Sequence, residues 1–345
     1  MIRQGAGSPS PATAALDLPL ADSPLDAAVR DGLASVETRL HVAVQQADPL
    51  ADDACRHLVQ AGGKRVRPLL TLLASHLGDP SRPEILHAAV VVELTHLATL
   101  YHDDVMDSAP VRRGAPAAHQ VWGNTVAILT GDLLFARASM IVADLGTQAV
   151  RIQAETFERL CLGQLHETIG PRAGDDPVQH YVQVLANKTG SLIATSARFG
   201  AMFAGCPPEV LDVLIRYGER VGVAFQLADD VIDLVSDGAT SGKTPGTDLR
   251  EGVPTLPVLL ARRHAAEHGD AASRELVALL DGDLTDDAAL ATAVALLRDH
   301  PATERARAEA QRWGREAADV LEPLPVGPAK EALQAFAHAV VERTS

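Results

Sequence analysis

Apolar residues recur at intervals of three and four along almost the whole 345-residue chain, and strict alternation is scarce. That period predicts helix after helix and almost no strand. The spacing predicts helices over 26–46, up to Gly62-Gly63, 68–77, 84–107, 124–145 and 149–169. Further helices follow over 177–204, with a weak point near Gly190, and over 208–235 and 256–268. The remainder is Ala-rich and helical, broken at Asp281-Gly282-Asp283 and between Pro323 and Pro328. Residues 1–24 are rich in Ala, Pro, Ser and Gly and are expected to form a disordered tail. Residues 25–345 are expected to form one all-α domain, a bundle of roughly ten or more helices.

Composition narrows this picture. Aromatic residues make up 3% of the chain and apolar residues 47%, so the core must be aliphatic. A formal net charge of -15 argues against nucleic acid or an anionic membrane surface as the main partner. Cys55, Cys161 and Cys206 are odd in number and scattered, which fits reduced thiols and a cytoplasmic location. The N-terminus lacks a basic segment followed by a continuous apolar one, so no secretory signal is expected. No run approaches the ~18 apolar residues of a membrane span. The longest candidate, 85–100, is interrupted by His87, Glu93 and His96.

Chemistry enters with two clusters of one form. Asp103-Asp104-Val105-Met106-Asp107 and Asp229-Asp230-Val231-Ile232-Asp233 both read D-D-x-x-D inside helical patterns. Residues i and i+4 share a helix face, so Asp103 stands over Asp107 and Asp229 over Asp233. Each set is a hard-oxygen claw suited to Mg2+, which takes one or two carboxylates, waters and phosphate oxygens. Two claws facing each other would hold a diphosphate through shared ions.

Basic residues complete the set. Gly62-Gly63-Lys64-Arg65-Val66-Arg67-Pro68 packs three cations and two glycines into a turn before a helix. Lys64 and Arg67 offer a point charge and a planar fork for phosphate; the plainer reading is a solvated basic turn. Arg112-Arg113-Gly114 follows the first claw, as a structural ion pair or as a lid over a diphosphate. Lys188-Thr189 and Gln226 add donors, and Lys243 lies in the loop after the second claw. His96 lies two turns before Asp103 on the same helix face, where a lone His is more often a core residue than a ligand. Together these parts allow ionisation of an allylic diphosphate. A dry cavity would protect the allylic cation, and a second diphosphate on Lys64, Arg67 and Arg113 would present its double bond to it.

The ordered motifs GGKRVRP (62–68), His96 with HDDVMD (102–107), Arg112-Arg113-Gly114, Gly163-Gln164, Lys188-Thr189-Gly190, FQLADDVID (225–233), Gly242-Lys243 and DLREGVPTLP (248–257) make the chain resemble the trans-isoprenyl diphosphate synthases, the polyprenyl synthetase family. The resemblance runs from about Val29 to the C-terminus. It implies the isoprenoid synthase type of helical bundle, around a central apolar cavity. It implies that Asp103, Asp104, Asp107, Asp229, Asp230 and Asp233 hold three Mg2+ ions. Lys64, Arg67, His96 and Arg113 would bind isopentenyl diphosphate. Arg112, Lys188, Thr189, Gln226 and Lys243 would hold the allylic diphosphate, with Lys188 counted among the catalytic residues. Val253 departs from the family, where many members have Lys. The resemblance also implies a homodimer, and an insoluble product suggests transient membrane contact at release.

Product length turns on the helix above Asp103. Bulky residues four or five before the first Asp form the floor in the family's short-chain enzymes. Here Thr99 and Ala98 stand there, and Thr95 lies a turn higher. These small residues predict an open tunnel and an all-trans product of roughly thirty to fifty carbons, at about one helical turn per isoprene unit. The use foreseen is a quinone side chain. A floor on a facing helix, from Phe135, Met140 or Phe157, would instead give a geranylgeranyl diphosphate synthase. A non-catalytic subunit of a heteromeric synthase is the third reading, although such a subunit should have lost a claw. A terpene cyclase has no need of the GGKRVRP turn.

Overall fold

The computed structural model describes residues 23–235 and 245–342. In chain order the first helices are α1 (Pro24–Ala43), α2 (Pro49–Gln60), α3 (Val66–Ser75) and α4 (Glu84–Met106). Two short strands, β1 (Val111–Arg112) and β2 (Ala115–Pro116), precede α5 (Ala118–Trp122), α6 (Asn124–Asp144) and α7 (Thr147–Ile169). Then come α8 (Pro177–Leu185), a π turn (Ala186–Gly190), α9 (Ser191–Phe203) and α10 (Pro208–Val235). The rest is α11 (Thr247–Arg250), α12 (Leu256–His268), α13 (Ala271–Leu280), α14 (Asp287–Asp299), α15 (Pro301–Val320) and α16 (Pro328–Glu342).

The all-α expectation holds, and the helix starts follow capping chemistry. The Ser23 hydroxyl accepts from the Asp26 N–H at 3.1 Å with Pro24 in the first turn, so Ser23 and Pro24 belong to α1 and not to the tail. The rest of the expected tail lies outside the described residues. Asp48 and Asp176 cap α2 and α8 in the same way. The weak point expected near Gly190 is the π turn, which interrupts an otherwise continuous helical run.

Contacts divide the chain into two compact units that are interleaved in sequence. One comprises the residues up to Phe157 with Leu192–Gly218 and Leu321–Phe336. Its centre is α4, which is apolar nearly all round and buries Val90, Val91, Leu94, Leu97, Ala98 and Tyr101. The Tyr101 hydroxyl donates to the Ala54 carbonyl at 2.6 Å and accepts the Leu58 N–H at 3.2 Å, which ties α2 to α4. Helix α6 comes close to α4 at Gly131, where a methyl group would stand 2.4 Å from His102 Nε2. Helices α4 and α6 are long and apolar enough to cross a membrane by length and composition. Most of α4 is buried within its unit, whereas α6 exposes Ile128, Leu129, Leu133 and Met140.

The other unit comprises Glu158–Ser191, Glu219–Val320 and the segment from Ala337. Its core gathers Leu227, Ala228, Val231 and Leu234 of α10 with Leu256 and Ala261 of α12, and Leu290 and Leu297 of α14. Arg298 donates to the Leu234 carbonyl at 2.7 Å, at the end of α10.

Candidate active site

Each unit presents one carboxylate cluster at the C-terminal end of a long helix. That end carries the negative pole of the helix dipole, so acidic side chains there raise an already negative potential. In the first unit Asp103 is half-buried, Asp104 buried and Asp107 exposed. Neighbouring positions differ by about 100° around a helix, which separates Asp104 from Asp103. Arg112 Nε donates to Asp104 Oδ1 at 2.6 Å, while Asp104 Oδ2 is buried without a hydrogen-bond partner. Burial raises the Asp104 carboxyl, against the pull of Arg112.

Helix α10 carries the second cluster in its last two turns. Asp230 is buried and accepts the Tyr181 hydroxyl at 2.7 Å. Asp233 accepts the backbone N–H groups of Thr247 and Asp248, both at 3.3 Å, so α11 folds back onto this end. The Asp230 carboxyl is pushed up to about 8. Burial is the largest cause; Asp248 and Asp229 add repulsion, and hydrogen bonds from Tyr181 and the Leu256 backbone act the other way.

These donors fit Mg2+. All are hard carboxylate oxygens, and one of them, Asp104 Oδ2, is buried with no hydrogen-bond partner. Among the described residues no three His, Cys, Asp or Glu side chains form a cage for an ion. Mg2+ ordinarily keeps waters and substrate phosphates in its shell, so an incomplete protein cage is compatible with it.

A pH prediction follows from Asp230. The folded chain holds this proton more tightly than the unfolded chain, whose carboxyl titrates near 3.8. The group's contribution to metal-free stability is therefore full below that value and is lost as pH rises through about 8. Binding Mg2+ with inorganic pyrophosphate near pH 7 is expected to release about one proton from this group. Calorimetry in two buffers of different ionisation enthalpy measures the release, and Asp230→Asn should lower it by that proton. An unchanged release would assign the proton elsewhere.

The cations of the first unit gather around His96. Arg113-Gly114, both at positive φ (54° and 78°), form the two-residue turn between β1 and β2. Arg112 turns to Asp104, while Arg113 donates to the carbonyls of Gly62 and Leu58. A Cβ at Gly63 would stand 2.7 Å from the Arg113 guanidinium carbon, so the glycine is required for this approach. Arg65 and Arg113 hold left-handed backbone, which costs a non-glycine residue roughly 1–2 kcal/mol. Helix α3 starts two residues before its expected position and takes Arg67 into its first turn. Arg67 Nε is buried with no partner, and burial lowers the guanidinium to about 10, Arg113 adding to the effect and Glu93 opposing it. Burial, then Arg67, Arg113, Arg112 and Arg65, hold His96 well below the usual imidazole range, so it is neutral. A neutral imidazole among guanidinium groups is a hydrogen-bonding partner for a polyanion.

In the second unit the π turn carries Lys188 and Thr189. Thr189 Oγ1 donates to Gln226 Oε1 at 3.5 Å, and Lys188 pairs with Glu167. Gly163 lets α7 approach the turn, since a Cβ there would stand 2.8 Å from the Lys188 nitrogen. Arg159 braces the turn through Asn187 at 3.2 Å and Glu219 at 2.7 Å. Val253 is half-buried and lines an apolar cavity of about 440 Å³ with Tyr181, Val184 and Leu259. Lys243 lies outside the described residues.

The polyprenyl synthetase family model matches residues 48–297. The chain belongs to the polyprenyl synthetase family. Nonaprenyl diphosphate synthase of Mycobacterium tuberculosis is 47% identical over 335 residues, covering 97% of this chain and 99% of that protein. The crystal structure of geranylgeranyl pyrophosphate synthase from Corynebacterium glutamicum, complexed with calcium and isoprenyl diphosphate, is 44% identical. It superposes with a TM-score of 0.83 over 94% of this chain and 98% of that one. Decaprenyl diphosphate synthase from Rhodobacter capsulatus is 33% identical, with a TM-score of 0.83 over 93% and 98% of the two chains. The polyprenyl synthetase fold thus has close solved counterparts in the isoprenyl diphosphate synthases.

Sequence reasoning missed Tyr181 and Glu167 of this polyprenyl synthetase, and it named Asp248 and Glu93 without giving either a role at the site. Tyr181 and Asp248 bear on Asp230, Glu167 pairs with Lys188, and Glu93 is buried beside the arginines. Glu93 left a signal: a carboxylate directly after the apolar run Ala88–Val92 and before Leu94 needs a cation.

Proposed function

We propose that this chain is a prenyltransferase that condenses isopentenyl diphosphate with an allylic diphosphate to give a long all-trans polyprenyl diphosphate. The observation that carries the reading is the pair of helix-end carboxylate clusters, each in a unit that also holds phosphate-binding cations. Relatives named for nonaprenyl and decaprenyl products favour the long-chain form, of roughly thirty to fifty carbons at about one helical turn per unit. A quinone side chain is the use we assign.

Asp103, Asp104, Asp107, Asp229, Asp230 and Asp233 would hold Mg2+, three ions in our reading. When bound, Mg2+ supplies positive charge that stabilises the departing diphosphate. Lys188, Thr189, Gln226, Arg112 and Lys243 hold the allylic diphosphate while its C–O bond breaks and the electron pair leaves with the diphosphate. Lys64, Arg67, Arg113 and neutral His96 hold isopentenyl diphosphate, whose double bond supplies the electrons of the new C–C bond. The departing diphosphate takes the proton lost in restoring a double bond. Apolar walls exclude the water that would quench the cation.

A second copy of the chain is the partner we assign to the exposed apolar side chains of α6, because a patch of this kind on a helix marks an interaction surface. Cys55, Cys161 and Cys206 are free thiols, in keeping with a cytoplasmic location, and the product's apolar tail calls for transient membrane contact at release.

The test is turnover by the isolated chain with Mg2+, labelled isopentenyl diphosphate and geranyl, farnesyl or geranylgeranyl diphosphate in turn. Products beyond geranylgeranyl length are expected. A stop at that length would make it a geranylgeranyl diphosphate synthase, and no product from any primer would make it a subunit awaiting its partner.

A further inference from the structure

Building on the prenyltransferase reading, we propose that Glu93 is the positioning residue of the isopentenyl diphosphate site: through Arg65 it fixes the turn from which Lys64 and Arg67 reach the diphosphate.

Glu93 is 1% exposed, on α4 directly after the apolar residues Ala88 to Val92. Its Oε1 accepts from Arg65 Nη1 at 3.0 Å. Arg65 is also buried, and its remaining N–H groups are occupied as well. Glu37 accepts from Nε and Nη2 at 2.8 and 2.9 Å, the Gly62 carbonyl from Nη1 at 3.4 Å and the Val59 carbonyl from Nη2 at 3.3 Å. A guanidinium has five N–H donors, and here each has an acceptor. Arg65 therefore has no donor left for a substrate, although it stands between two residues assigned to one. Its work is internal.

That work is to hold the backbone. Arg65 is the residue before α3 and takes left-handed φ of 49°. Such a conformation persists where surrounding contacts over-determine it. The same contacts set the direction of Lys64 on one side and the first turn of α3, with Arg67, on the other. Glu93 is the fully buried anchor, and Glu37, 38% exposed at its side chain, is the solvent-facing one. Glu93 also lies three residues before His96 on α4, so the anchor and the imidazole share a helix face. Its charge acts on Arg67 and Arg113 too, opposing the effect of their burial. The carboxylate thus keeps the cationic set assembled before any diphosphate arrives.

The experiment is steady-state kinetics of the full chain, varying each substrate at saturating levels of the other, for Glu93→Gln, Glu93→Asp and Glu37→Gln. Glu93→Gln is expected to raise the KM for isopentenyl diphosphate roughly 10- to 100-fold, the usual scale for losing a residue that orients a ligand-binding one. The KM for the allylic diphosphate should stay put. Glu93→Asp should recover part of the loss, and Glu37→Gln should raise the same KM by less. A purely structural role would move both KM values together or lower kcat alone, and either result, or unchanged KM values, overturns the proposal. If Glu93→Gln does not fold, Glu37→Gln decides, and an unmoved isopentenyl KM in that variant overturns it. A wild-type chain without turnover would defeat the prenyltransferase reading first, and this assignment with it.

Discussion

Asp103→Ala and Asp229→Ala are each expected to lower kcat by roughly 10²- to 10³-fold or more, the scale of losing one preorganised electrostatic contact to a leaving group. Stability should hardly change, with thermal midpoints within about 2 °C of the parent. The reason is position. Both carboxylates are half-buried in the last turns of α4 and α10, at the negative pole of each helix. An acidic side chain there is unfavourable to the fold, so its removal relieves as much as it takes away. Turnover measured across a Mg2+ titration, beside thermal denaturation, checks both halves. Unchanged turnover in either variant would defeat the assignment of that claw.

Asp104 behaves differently by the same reasoning. It is buried, and Arg112 donates to it at 2.6 Å. Asp104→Ala should therefore lose stability as well as turnover, by about 1–3 kcal/mol for the unpaired, partly buried guanidinium. The identical D-D-x-x-D spelling hides two environments: Asp103 is half-buried near the helix end, and Asp104 is buried and holds Arg112.

Legibility in the sequence follows from which forces are local. The long helices could be read because apolar spacing and caps act within a few residues, and the interruption near Gly190 showed as a break in pattern. The β1–β2 hairpin could not, since two residues per strand are too few for a period. Lys64, Arg67, His96, Arg112 and Arg113 were nameable as motif residues and lie in one unit, while Lys188, Thr189 and Gln226 lie in the other. Their different burial was not nameable. Arg65 reads as one more basic residue in GGKRVRP, and only its bonds to Glu37 and Glu93, each 28 positions away, show that it is structural. Tyr181 was likewise invisible, because its partner Asp230 is 49 positions off.

Product length offers the other large effect. Thr99→Phe is expected to shift the products to roughly twenty carbons or fewer. Thr99 lies four residues before Asp103, about 6 Å along the helix, which is close to one isoprene unit. Its side chain is half-buried, and the hydroxyl turns back to the His96 carbonyl at 2.8 Å, so a ring there projects from α4 without first breaking a core contact. Ala98→Phe should shorten the product too, but at a cost to the fold. Ala98 is 1% exposed and belongs to a buried cluster with Leu94, Ala127 and Leu134, so a ring there would overfill the core. Overpacking of that kind costs about 1–3 kcal/mol. Thr95 is the weaker lever, buried and receiving the Gln153 amide at 3.5 Å. Chromatographic sizing of the products beside thermal denaturation separates the two variants: Thr99→Phe shortens without destabilising, and Ala98→Phe does both. If neither shortens the product, the path does not follow this face of α4. The rings of Phe135 and Phe157, with centroids 3.9 Å apart, then become the floor, and Phe157→Ala should lengthen what the parent makes.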